Sequence, residues 1–154
     1  MQVPAQKPID RVGDDPRWGR LRDYLFDRMV DMGLGLWFLS LSKNVPSSQK
    51  DWENMHISAE VNLTGQSLML DISFGDMFFV SGPEFQRHVV IHELLHVLEK
   101  PADKLIDNLL CCGSISQAAG DIWCSGYNQT REQFIDTVAA LLAPRFPLPE
   151  LEKE

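Results

Sequence analysis

The sequence predicts an α+β domain in which a small, mainly antiparallel sheet packs against one amphipathic helix, with further helices C-terminal to it. Three observations predict this. Two alternating runs, Met55 to Leu63 and Leu68 to Phe74, flank Thr64-Gly65-Gln66 and have the form of a hairpin. From Pro83 the apolar spacing changes to a helical period and holds to about Glu99, where Pro101 is expected to stop it. Residues 102–112 and 131–142 then read as further helices. A chain of 154 residues has room for one domain, placed at 14–143. Residues 1–13 and 144–154 are expected to be loosely held tails, since both contain proline and lack periodicity.

The elements follow in order. Asp15 before Pro16 has the form of an N-cap with proline in the first turn, and Trp18, Leu21, Leu25, Met29 and Met32 recur at helical spacing. This helix is expected to end near Gly33 or Gly35. The run Leu36 to Leu41 is short and apolar and is closed by Asn44-Val45-Pro46-Ser47, which suits a buried strand. In the next strand Ile57, Ala59, Val61 and Leu63 share one face, and His56, an ordinary surface residue on this reading, lies on the other. Gly113, Gly120 and Gly126 leave the region after residue 112 without a firm element. In the last helix Phe134, Ile135, Val138, Leu141 and Leu142 form the apolar side, and Thr130 with Gln133 forms a capping box at its start. Asn128-Gln129-Thr130 is thus read as a helix start and not as a glycosylation acceptor.

Charge and composition exclude several classes. A formal charge of −8 with no run of Lys or Arg repels a phosphate backbone, so nucleic acid is not an expected partner. The longest apolar stretch, Leu34 to Leu41, is too short to span a bilayer, and the first ten residues carry no basic-then-apolar signal. The expectation is a cytoplasmic protein with no membrane partner. Cys111, Cys112 and Cys124 make an odd count with two adjacent, which points to reduced, buried thiols.

The chemistry lies in His92-Glu93-Leu94-Leu95-His96. Residues four apart on a helix face the same way, so His92 and His96 can grip one zinc ion together. Glu93 points elsewhere and can act as general base on a water activated by the metal. At about 100° per residue, His88, His92, Glu93, His96 and Glu99 fall on one side of the helix. Val90, Ile91, Leu94, Leu95, Val97 and Leu98 fall on the other. His88 could pair with His92, but Val89 follows it where that pair would need a base. It is read as a histidine of the cleft rim or core.

Catalytic zinc usually takes three protein ligands and keeps one position open. Glu99 lies a turn beyond His96 and would have to bend back past its own helix. Glu132, with Asp136 one turn later, is the best candidate from another element, and Asp103, Asp107 and Asp121 compete with it. Two non-peptidase readings stay open: a catalytically silent zinc-stabilised binding module, and a metal-free regulatory protein.

HELLH followed by Glu132-Gln133-Phe134-Ile135-Asp136 resembles the HExxH plus ExxxD pattern of the gluzincin metallopeptidases. The resemblance covers two helices, and the shortness of the chain resembles minimal zincin-type proteins of bacteria and phages. It implies a zinc metallopeptidase acting on a peptide or protein. Glu132 would be the third zinc ligand, and Asp136 would orient His92. Tyr127 would donate to a developing oxyanion, although packing or a turn role competes. The resemblance also implies an edge strand that binds substrate in extended form, and Gln66 to Phe74 is the candidate.

Overall fold

Asp15 caps the first helix as its position suggests, its carboxylate accepting from the Arg17 backbone N–H at 2.9 Å. The computed structural model describes residues 9–11, 14–43, 58–64 and 67–152. Helix α1 spans Pro16–Asp31 and buries Trp18, Leu21, Leu25 and Met29 along one stripe. Gly33, at φ +77°, closes it; the Gly33 N–H bonds Val30 at 3.1 Å and the Leu34 N–H bonds Met29 at 2.7 Å. Strand β1 is Ile9–Arg11, β2 is Phe38–Lys43, β3 is Ser58–Thr64 and β4 is Ser67–Phe74. After them come the short helix α2, Asp76–Val80, the long helices α3, Pro83–Cys111, and α4, Gln117–Leu142, and a final turn at Ala143–Arg145.

The sheet order is β1-β2-β4-β3. Here the expected α+β domain with a mainly antiparallel sheet is corrected: β1–β2 and β2–β4 pair parallel, only β3–β4 pairs antiparallel, and helix outweighs strand. The hairpin itself forms, with Val61 opposite Leu70 and Glu60 opposite Asp71. The difference has two causes. Ile9–Arg11, inside a segment read as a tail, adds a strand that α1 joins to β2 in a parallel crossover. The hairpin also inserts with its second strand inward, so β4 returns parallel to β2 and leaves β3 at the edge. Strand β4 is therefore paired on both sides, and Gln66 to Phe74 is not a free edge for a substrate. His56 and most of the turn after Thr64 lie outside the described residues.

Leu70, Ile72 and Phe74 of β4 are fully buried while Met69, Asp71 and Ser73 between them are not, so the sheet presents one apolar face. Against it pack α1, α2 and the inner side of α3, through Phe78, Phe79, Val90, Leu94 and Val97. A second, smaller cluster joins α3 to α4 through Ile91, Leu95, Ile135 and Ala139. The apolar face expected for the last helix is corrected at two places, since Phe134 and Leu141 are 61% and 68% exposed. Leu98 is likewise exposed on α3.

Helix boundaries also move. Helix α3 continues through Pro101 to Cys111, joining two segments expected to be separate. Proline removes one rung of the ladder, a local cost, and the helix that carries it packs against α4. Gly113, at φ +72°, ends it, with the Gly113 N–H on Leu110 and the Ser114 N–H on Leu109. Helix α4 then starts at Ser116, whose hydroxyl accepts from the Ala119 N–H at 3.2 Å, and not at Thr130. The capping box is thereby corrected: Thr130 lies mid-helix and its hydroxyl donates to the Gly126 carbonyl. A further side chain at Gly120 would meet Leu110 at 2.6 Å, so glycine there lets the two helices approach closely after the turn.

Residues 144–152 are not a loose tail. Leu151 is buried in the main core, its carbonyl accepts from Arg20 at 2.7 Å, and the Tyr24 hydroxyl donates to the Pro147 carbonyl at 2.8 Å. Cys111, Cys112 and Cys124 are free and exposed where burial was expected. Among the described residues no helix is long and apolar enough to cross a membrane.

Candidate metal centre

The α3–α4 cluster decides which polar side chains meet. Ile91 precedes His92, Leu95 precedes His96 and Ile135 precedes Asp136; packing these apolar residues together turns His92 and His96 towards Glu132 and Asp136. The two histidine rings lie edge to face with centroids 4.8 Å apart, and their Nε2 atoms are 3.1 Å apart. Glu132 Oε2 stands 3.5 Å from each Nε2. Donors held at ordinary zinc distances in a tetrahedron are about 3.3 to 3.6 Å from one another. The three atoms thus form nearly one face of such a tetrahedron, and two imidazoles with a carboxylate are a donor set that could hold a metal ion.

The other nitrogen of His92 is engaged too. Its Nδ1 lies 2.8 Å from Asp136 Oδ1, so an Nδ1–H donates to the carboxylate and the lone pair is left on Nε2, facing His96 and Glu132. A second grouping, His88 with His92 and Asp136, also brings three donor types together. Its 2.8 Å Asp136–His92 contact is a hydrogen bond and is shorter than a coordination edge, and the His88 ring stands 6.5 Å from that of His92. The half-buried His88 therefore lies beside the centre and outside the better-formed set.

Glu93 is 6% exposed on the inner side of the same helix turn. Burial first, and then the negative charge of Glu132, pushes its carboxyl up to about 8. A cation at the centre would oppose both effects and favour the carboxylate.

The remaining candidates fall elsewhere. Asp121 accepts from Gln117 at 2.9 Å on its own helix, Asp107 is exposed, and the Asp103 side chain lies outside the described residues. Glu99 points across to α4, where its Oε2 is 3.9 Å from Arg131 Nε. Tyr127 is stacked on Trp123 at 5.0 Å and covered by the Arg131 guanidinium at 5.8 Å. Five residues before Glu132, it is turned roughly 140° away around the helix, so the structure does not bring it to the centre. Arg131 was not foreseen. Its signal was a cation next to the candidate ligand and an acid, Glu99, left over on the motif face.

No family model, curated protein or solved structure matches the chain.

Proposed function

We propose that this protein is a zinc-dependent hydrolase, a metallopeptidase resembling the gluzincins in its His92, His96, Glu132 and Asp136 set. The observation that carries the reading is the convergence of two Nε2 atoms and one carboxylate oxygen within 3.1 to 3.5 Å, from two helices. His92, His96 and Glu132 would hold the ion. When bound, zinc supplies Lewis acidity, which polarises a carbonyl and eases the ionisation of water.

The protein's own groups do the rest. Asp136 fixes the tautomer and orientation of His92. Glu93 takes a proton from the attacking water and delivers it to the leaving amine nitrogen, so that one water and one peptide bond become a carboxylic acid and an amine. Of the two edge strands, β1 and β3, the one packed against α3 is β3, which makes it, and not β4, the edge for an extended peptide. A net charge of −8 disfavours nucleic acid as substrate, and the three unbridged cysteines suit a cytoplasmic setting.

A proteome-wide cleavage profile of wild type against Glu93→Gln tests the proposal. Cleavages present with wild type and absent with the variant, at equal zinc content, are expected. Wild-type turnover retained by Glu93→Gln contradicts the role of Glu93, and zinc retention with no cleavage by either protein favours a silent zinc-stabilised module.

A further inference from the structure

The two oxygens of Glu132 face different partners. Oε2 is turned to the histidine pair, 3.5 Å from each Nε2, while Oε1 lies 3.4 Å from Arg131 Nη2. Arg131 has charged and aromatic neighbours on two further sides, the first an ion pair too long for a hydrogen bond. Its Nε faces Glu99 Oε2 at 3.9 Å, from the turn of α3 that follows His96, and its guanidinium covers the ring of Tyr127. The Arg131 and Glu99 side chains are only 20% and 21% exposed, against 46% for Glu132. The better-buried pair is therefore placed to restrain the more exposed carboxylate.

We propose that Arg131 is a positioning residue for the metal centre, holding Oε1 of Glu132 so that the carboxylate offers the ion a single oxygen, Oε2. The inference rests on the zinc reading above. Glu99 acts one step further out, keeping the guanidinium aimed at Glu132. Untethered, a half-exposed glutamate can rotate to solvent or present both oxygens, and the freedom lost on coordination is then larger. Arginine suits this role because its planar fork can serve Glu99 and Glu132 from different nitrogens at once.

Charge alone predicts the opposite effect. A guanidinium beside the centre repels a cation, so its removal would tighten metal binding if Arg131 acted only through its field. Positioning predicts weakening. The test is chelator competition for zinc, together with the visible spectrum of the cobalt-substituted protein, on the full chain and its Arg131→Gln, Arg131→Lys and Glu99→Gln variants. Arg131→Gln is expected to weaken zinc by roughly 10 to 100-fold and to lower the intensity of the cobalt bands. Arg131→Lys should recover part of both. Glu99→Gln should shift both in the same direction by less, and it keeps the test decisive should Arg131→Gln fold poorly. Unchanged or tighter zinc in Arg131→Gln, or in Glu99→Gln where only that variant folds, overturns the inference while wild-type binding keeps the metal reading intact. A wild-type chain that binds neither metal overturns both.

Discussion

Glu132 and Asp136 are one helical turn apart, and the distances assign them different tasks. Glu132 shares an oxygen with both Nε2 atoms, whereas Asp136 touches only the far nitrogen of His92. Removing the donor should cost more zinc affinity than removing the orienting partner, whose loss typically costs 10 to 100-fold. Glu132→Ala is therefore expected to bind zinc more weakly than Asp136→Ala, and Asp136→Ala more weakly than Asp121→Ala, whose carboxylate is bonded to Gln117. Chelator competition across the three variants checks the order, and Asp121→Ala as the weakest of the set would contradict the assignment. At this scale the candidate site was legible in the sequence where spacing alone decides geometry: His92 and His96 share a face because they are four apart, and Glu132 and Asp136 do likewise. Arg131 was not foreseen, and Tyr127, offered as an oxyanion donor with packing as the competing role, is stacked on Trp123. Their positions follow from how α3 crosses α4, which no single-helix periodicity encodes.

Elements are set by their ends, and the start and middle of α4 separate a cap from its imitation. Ser116 satisfies the Ala119 N–H at the true start, while Thr130, in the sequence pattern of a capping box, bonds a carbonyl within the helix. Ser116→Ala should cost about 1 kcal/mol in a denaturant titration, whereas Thr130→Ala should change stability by less than about 0.5 kcal/mol. The reverse order would place the helix start at Thr130. Much of the fold was legible here: α1, its Asp15 cap and its glycine stop, the apolar run that becomes β2, the β3–β4 hairpin and the core face of α3 all follow local rules. Sheet direction does not. Whether β4 lies inside or at the edge depends on which strand of the hairpin meets β2, and three residues, Ile9–Arg11, are too few to show an alternating pattern. Pro101 misleads for a similar reason, since the cost of one lost rung is local and the packing that offsets it is not.

At the scale of the whole molecule, the chain after residue 143 closes the fold that carries the centre. Leu151 fills the core beneath α1, Arg20 and Tyr24 bond the segment's carbonyls, and Arg87 of α3 bonds the Phe146 carbonyl at 3.0 Å. Leu151→Ala should destabilise the protein by roughly 2 to 5 kcal/mol in chemical denaturation, the range for a buried leucine. A change under about 0.5 kcal/mol would show that the segment is dispensable. Such a fold holds α3 and α4 at a fixed spacing, and on the proposed reading this spacing makes one zinc site from His92, His96 and Glu132. Zinc content per chain, measured by elemental analysis after loading and exhaustive dialysis, reads out this site. About one zinc is expected in the wild-type protein and a small residue of it in His96→Ala, since three protein ligands are needed to retain the ion. Equal zinc in the two proteins, or none in the wild type, would contradict that reading.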